Sequence, residues 1–452
     1  MADSYKYSHG PLYTAGMTGM FAYGEARIKG EIIVPVGMQM LLEEYFTTPI
    51  TLDNIMEAER FLTAHGEPFD KAGWLRVLDT HKGLLPLKIK VVPEGTPVPS
   101  GNILYSVEST DPELAWLVSW IETVIQRGIW YPTTIASNDH KAWRAIRRFA
   151  RESSDDESLV PFTLHDFGGR GVSSHESAQI GGFAHLVHFM GSDTVEGIRA
   201  ANHYYDEDMA AFSVIATEHS IQCSYGPTRQ REYLETVIEK AAKPGAIVSI
   251  VIDGYDVYRE AQTLCELKDK IIASGARIVF RPDSGDPLEV IPRLLKMQDM
   301  AFGHKVNTKG YKVINNVGII QGDGVDLEAM VKILEKVTEM GYSASNIVFG
   351  SGGALLQKVN RDTYKFAQKT TAIRIGSKWV SVFKDPITDP GKKSKAGRLH
   401  LVRSKMTGEY MTFEETGAPL DSEWEEVMVT VYENGKLFNR TTLAEIRARA
   451  MS

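Results

Sequence analysis

Apolar residues in the middle of the chain come in short runs, each followed by a loop crowded with Gly, Asp, Arg or His. The runs read FTLHDFGGRG (162–171), HLVHFMGSDT (185–194), AAFSVIATEHS (210–220), IVSIVIDGYD (247–256), ARIVFRPDSGDP (276–287), GIIQGDGVD (318–326) and NIVFGSGG (346–353). Their loop markers, Asp166, Asp193, His219, Asp253, Asp283, Asp323 and Ser351, recur about every 30 residues, the length of one strand plus one returning helix. The pattern predicts a chain of βα units. Loops after the strands of such units gather at one end of a sheet or barrel, where ligands bind. The expected fold is α/β: an irregular βα barrel with a second, mixed α+β domain formed by both chain ends.

The flanks are patterned differently. Residues 86–110 alternate, with Pro and Gly punctuation, as antiparallel strands and turns do. Asp111-Pro112-Glu113 predicts a helix start, and Leu114, Leu117, Val118, Ile121, Val124 and Ile125 then mark one apolar face. RESSDDES (151–158) reads as a polar surface connection. Beyond 361 the chain returns to short strands with charged turns, and LAEIRARA predicts a terminal helix. The expected division is 1–155 and 362–452 for the mixed domain and 156–361 for the barrel.

A chain of 452 residues is too long for one small core, in keeping with two domains. Hydrophobic content of 43% and charged content of 24% are those of a soluble globular protein. The formal net charge of −8 argues against bulk nucleic-acid binding, which rests on phosphate neutralisation. No apolar run approaches the roughly 18–20 residues of a membrane span, and the polar N-terminus lacks a signal-peptide core. Cys223 and Cys265 form no framework or metal spacing and are expected as buried thiols in a reducing compartment. A cytoplasmic protein without nucleic-acid or membrane partners is expected.

Several loops carry chemistry. Gly322-Asp323-Gly324 and Ser351-Gly352-Gly353 let backbone N–H groups approach a phosphate closely, although the same glycines also serve tight turns. Neither GxGxxG nor GxxxxGK[ST] occurs, so dinucleotide and nucleoside-triphosphate folds are not signalled. In Arg281-Pro282-Asp283-Ser284-Gly285, straight after an apolar run, the guanidinium suits a pyrophosphate and the carboxylate a sugar hydroxyl. Glu218-His219 ends another run. His185 and His188 form HxxH, but on a strand face they would point apart, and no third ligand follows at zinc spacing. No GxSxG motif or Cys/His pair supports a nucleophilic hydrolase.

DSYKYSH (3–9), LHDFGGRGVSS (164–174), GSDTV (191–195), EHS (218–220), GYD (254–256), RPDSGDP (281–287), QGDGVD (321–326), FGSGGALLQKVNRD (349–362) and VFKDP…KKSKAGR (382–398) occur in this order. Together they closely resemble the nicotinamide phosphoribosyltransferases, over nearly the whole chain. The resemblance implies transfer of phosphoribosyl from 5-phosphoribosyl 1-pyrophosphate to nicotinamide with Mg²⁺, giving nicotinamide mononucleotide and pyrophosphate. It also implies a homodimer with shared active sites, and ATP as an optional co-substrate. Metal ligands on the protein stay unknown, the Mg²⁺ being held mainly through pyrophosphate.

The resemblance assigns roles residue by residue. Arg170, His219, Arg281, Lys369, Lys384 and Lys392 match diphosphate-binding positions. Asp3, Tyr5, Phe167, Asp193, Arg281, Asp283, Gly322, Asp323, Gly352, Gly353 and Arg361 match positions around the substrate and mononucleotide. The pyridine ring would lie between Phe167 and a Tyr5 from the partner subunit, and Asp193 would receive the carboxamide. His219, Arg281 and Asp283 are the expected catalytic set. His219 matches the histidine phosphorylated from ATP, and Glu218 and Asp256 are candidates to orient it.

Two positions depart from the family. Ile252 stands where a serine is common, and Gly169 where a bulkier aromatic is common, which bears on nicotinamide affinity. Three rival readings are weighed. A nicotinate phosphoribosyltransferase would lack the carboxylate at Asp193, and a non-catalytic nucleotide-binding or signalling relative would have lost the charged residues. A sugar-phosphate lyase would need a Schiff-base lysine at a strand end, which none of the seven loops offers.

Overall fold

The computed structural model describes residues 2–388, 393–415 and 420–452. Two compact units are present. One comprises the chain up to Ser137, His203–Glu207 and everything described from Asn360 on; the other comprises Asn138–Asn202 and Asp208–Val359. The division falls within the 32-residue helix Glu122–Ser153, ahead of the polar stretch 151–158.

The second unit holds seven parallel strands: β1 (Leu164–Asp166), β2 (Gly191–Ser192), β3 (Ile215–Ala216), β4 (Ile247–Val251), β5 (Arg277–Arg281), β6 (Val317–Gln321) and β7 (Ile347–Ser351). Their order in the sheet is β2-β1-β7-β6-β5-β4-β3, with every pairing parallel. A single bridge, Gly191 to Phe212, ties the β2 edge to the segment entering β3. The sheet thus curls on itself as an irregular barrel. Val248, Ile250, Ile278, Phe280, Val317, Ile319 and Phe349 are fully buried, as strands covered on both faces require.

Helices return the chain between strands, and their starts are written in the loops. Asp256 accepts the N–H groups of Tyr258 and Arg259 at the start of Val257–Glu266. Asp286 caps Pro287–Phe302 through Leu288 N–H, with Pro at the first helical position. Asp326 caps Leu327–Glu339 through Ala329 N–H. Each caps an orphan donor of a first turn.

Two local expectations are corrected. The run at 185–190 is not a strand: His185 ends helix His175–His185, a buried turn follows, and only Gly191 and Ser192 pair in the sheet. Likewise Asp111 does not open a helix. Its carboxylate accepts Glu113 N–H and takes Arg76 (2.9 Å) and His81 (2.7 Å), while the helix begins at Leu117. All six residues of the expected apolar face are nonetheless buried, because the turn continues the same side into the core.

In the first unit both chain ends build one seven-stranded antiparallel sheet. Its order is Lys378–Ser381, Phe366–Ile375, Met17–Ala26, Ile103–Ser109, Leu87–Val91, Val429–Glu433 and Lys436–Leu437. The terminal helix Leu443–Ala450 starts on a reciprocal Thr442–Glu445 capping box. Cys265 is buried, its thiol pushed up to about 11 by desolvation, but Cys223 is exposed on the short helix His219–Ser224, which corrects the expectation of two buried thiols. Among the described residues no helix is long and apolar enough to cross a membrane.

Candidate active site at the strand ends

Because the strands are parallel, all seven following loops leave the barrel at one rim. On the β3–β6 side the loops carry charge. Arg281 is the last residue of β5, and its Nη2 donates to the Thr217 carbonyl at 2.7 Å, tying β5 to the loop after β3. Two residues on, Asp283 is half-buried, and burial pushes its carboxyl above the usual range. Arg281 and His219 pull it back while Asp253 and Asp323 push it further up, so the five groups share one electrostatic neighbourhood. A Cβ at Gly322 would sit 2.8 Å from Asp283 Oδ1, so only glycine lets the β6 loop approach that carboxylate without displacing it.

His219 opens its helix with an imidazole 46% exposed, and its Nε2 lies 3.0 Å from Asp253 Oδ1, a carboxylate only 5% exposed. The imidazole's partner is therefore Asp253 rather than Glu218 or Asp256. Glu218 accepts the Ser220 hydroxyl, and Asp256 is spent on its helix cap. The physical reason is placement: Asp253 stands at the strand end beside the β3 loop, whereas Asp256 has already turned into the helix.

The β1, β2 and β7 side is built by close packing. Phe167 N–H donates to the Ser351 carbonyl at 2.9 Å, and the Phe167 ring lies on Gly350, where an added Cβ would fall 2.0 Å from the ring. A Cβ on Gly168 would meet the Gly352 carbonyl at 2.9 Å, and one on Gly171 the Gly353 Cα at 3.0 Å. The two glycine loops thus touch backbone to backbone. Gly353 itself borders open space, and Arg170 is exposed. Asp193 N–H donates to the Asp166 carbonyl at 2.9 Å, and the exposed Asp193 carboxylate accepts the Ser213 hydroxyl.

Ser213 escapes a reading of the sequence, since it sits inside an apolar run; only the Gly191–Phe212 bridge brings it to β2. Ile252 is fully buried, and a side chain at Gly169 would start 3.1 Å from Thr194 Oγ1.

Other expected residues lie in the first unit. Burial lowers the Lys369 ammonium below its ordinary range; Glu122 opposes this, while Arg27, Lys384 and Arg361 lower it further. Lys369, Lys384 and Arg361 therefore form one cationic cluster, with Arg27 added to it. Lys392 lies outside the described residues. The N-terminal segment is anchored: Thr123 Oγ1 accepts Asp3 N–H and donates to Asp3 Oδ2 at 2.8 Å, and Lys6 meets Glu122 at 2.5 Å. Tyr5 between them is 52% exposed. Among the described residues no group of three or more His, Cys, Asp or Glu is placed to hold a metal ion.

Comparison with known proteins agrees with this geometry. The nicotinate phosphoribosyltransferase (NAPRTase) family description matches residues 162–436, and that of the nicotinamide phosphoribosyltransferase N-terminal domain matches residues 1–89. Nicotinamide phosphoribosyltransferase of Xanthomonas campestris pv. campestris is 45% identical over 455 residues, covering 99% of this chain and 97% of that one. The protein of the same name from Mycoplasma pneumoniae is 36% identical over 333 residues, covering 70% of this chain and 71% of its own. Among solved structures, nicotinate-nucleotide pyrophosphorylase from Pyrococcus furiosus aligns with a TM-score of 0.61 at 16% identity, over 100% of this chain and 93% of that one, a likeness of fold alone. The chain belongs to the nicotinate phosphoribosyltransferase family and, within it, to the nicotinamide phosphoribosyltransferases.

Proposed function

We propose that this protein transfers the phosphoribosyl group of 5-phosphoribosyl 1-pyrophosphate to the ring nitrogen of nicotinamide, forming nicotinamide mononucleotide and pyrophosphate for NAD salvage. The observation that carries the reading is the convergence of Arg281, Asp283, His219, Asp253 and Asp323 at one rim of the barrel, next to a loop pair that presents Phe167 and Asp193. Pyrophosphate leaves C1 as positive charge builds on the ribose, and the pyridine nitrogen attacks. That nucleophile has no proton to lose, so the site needs no general base. Its work is alignment and electrostatic stabilisation of the leaving group.

Arg281 and Arg170 then hold the pyrophosphate, which arrives as its Mg²⁺ complex, and Asp283 accepts from the ribose hydroxyls. Gly322, Asp323, Gly352 and Gly353 hold the ribose and phosphate of the mononucleotide. Arg361, Lys369, Lys384 and Lys392 supply further positive charge to phosphate groups. Phe167 stacks on the pyridine ring, with Asp3 and Tyr5 of a second copy closing the other face in a homodimer. Asp193 accepts the carboxamide N–H₂ and repels the carboxylate of nicotinate. A desolvated like-charge pair costs roughly 2–5 kcal/mol, a preference of tens to thousands for the amide.

ATP enters as an optional co-substrate through a phosphohistidine at His219. With Nε2 bonded to Asp253, Nδ1 is the nitrogen to carry the phosphoryl group. One assay tests the whole reading. Purified protein with Mg²⁺ and phosphoribosyl pyrophosphate is offered nicotinamide or nicotinate, with and without ATP, and product is read by mass. Mononucleotide from nicotinamide, in preference to nicotinate, is expected. His219→Ala is expected to lose ATP hydrolysis and keep basal transfer; undiminished hydrolysis would remove the phosphohistidine.

A further inference from the structure

Asp166 ends β1 with a fully buried side chain, and two separate arms of the rim hang on it. Its Oδ1 accepts Gly168 N–H at 2.7 Å, closing an Asx turn around Phe167. Its backbone carbonyl accepts Asp193 N–H at 2.9 Å. Phe167 and Asp193, which come from different loops, are thus set by one residue.

A buried network stands behind it. His185 is fully buried, with Nδ1 2.7 Å from Asp139 Oδ2 and Nε2 3.1 Å from the carbonyl of Gly191 in β2. Burial alone would push the imidazole down, but Asp139 and then Asp166 hold it above its ordinary range. Asp139 and His185 therefore tie down β2 at Gly191, just ahead of Asp193, while the Asp166 carbonyl ties down Asp193 itself. Asp166 Oδ2 is buried, and the Thr194 hydroxyl is the side-chain donor beside the carboxylate. A buried acid is costly unless its contacts are used, and here the satisfied oxygen serves the turn that carries Phe167.

We propose that Asp166 is a positioning residue for nicotinamide: its carboxylate fixes the turn that carries the stacking ring of Phe167, and so sets that ring against the amide-reading carboxylate of Asp193, whose loop hangs from the Asp166 backbone carbonyl. This rests on the pocket assignment made under Proposed function. The Asp166 side chain is fully buried behind the rim, so its loss should loosen recognition of the pyridine and leave the phosphoribosyl side alone.

Steady-state kinetics on three proteins test it. Asp166→Val removes the acceptor at similar volume, and Asp166→Asn keeps an oxygen for Gly168 N–H. In Asp166→Val the KM for nicotinamide should rise by about tenfold, the worth of one buried hydrogen bond, with kcat and the KM for phosphoribosyl pyrophosphate within about twofold. Asp166→Asn should restore the nicotinamide KM to within about threefold of wild type. A parallel rise of both KM values, a fall in kcat alone, or an Asn variant as impaired as Val would each overturn the proposal. If Asp166→Val does not fold, the measurement passes to Asp166→Ala; if neither folds, Asp166 serves the fold only and the proposal fails. A wild type that makes no mononucleotide would instead overturn the function proposed above, whereas an active wild type without this split would overturn only the role of Asp166.

Discussion

The two sides of the barrel rim are built on different physics. Around β3–β6 the loops meet through charge: one arginine, one histidine and three aspartates share a neighbourhood whose mutual effects show in the raised Asp283 carboxyl. Around β1, β2 and β7 they meet through contact: Phe167 on Gly350, Gly171 on Gly353, Asp193 hung from Asp166. Charge acts at a distance and tolerates small shifts, which suits a flexible polyanion. Close packing does not tolerate them, which suits a flat ring whose face and edge must both be matched. Each side should therefore fail in its own way.

The largest effect is expected from Arg281→Ala. It removes the guanidinium that draws the Asp283 carboxyl down and, on the proposed reading, the fork for pyrophosphate, so kcat/KM for the phosphoribosyl donor should fall about a hundredfold to a thousandfold, the scale for losing one preorganised donor to developing negative charge. The nicotinamide KM should change little; an equal loss on both substrates would erase the distinction between the two sides.

Gly350→Ala probes the packed side. Its Cβ cannot coexist with the ring 2.0 Å away, so Phe167 must move, at a cost of about 1–3 kcal/mol. Here nicotinamide KM should rise by roughly tenfold to a hundredfold while donor KM holds. An unchanged nicotinamide KM would show that the ring is not part of the pocket.

Asp193→Asn keeps shape and removes charge. The kcat/KM ratio of nicotinamide to nicotinate should fall by about tenfold or more, chiefly by better use of the acid. A ratio unchanged from wild type would place amide selection elsewhere, with Ser213 the first residue to examine because it already bonds Asp193.

The smallest effect concerns stability. Asp283 has a folded-state pKa above its unfolded value, first through burial. Ionised, it is less at ease folded than unfolded, so it lowers stability above its folded pKa and has no effect below the unfolded one near 4. Asp283→Asn should therefore raise the apparent Tm of the free protein slightly at pH 7, and lose that gain as pH falls toward 4. A destabilised variant at pH 7 would mean that Arg281 outweighs burial at this site.

Much of this was legible in the chain. The alternation of apolar runs and polar loops determined the parallel barrel, because strands covered on both faces must be apolar throughout and their loops must carry the polarity. Asp253, Asp283 and Asp323 each precede a second aspartate by three residues. In that spacing the first carboxylate stands at the strand end and the second caps the next helix. Capping chemistry was readable there, and it would have steered the histidine's partner away from Asp256. Local sequence thus set most elements, the caps and the residue types at the rim, though not the strand expected at 185–190 or the helix start expected at Asp111.

Tertiary structure alone decided which loops meet. That Asp253 holds His219, that Ser213 reaches Asp193 across a bridge, that Gly322 clears space for Asp283, and that Asp166 joins two loops of the rim depend on strand order. Strand order is set by packing between segments far apart in the chain, and no local pattern of side chains encodes it.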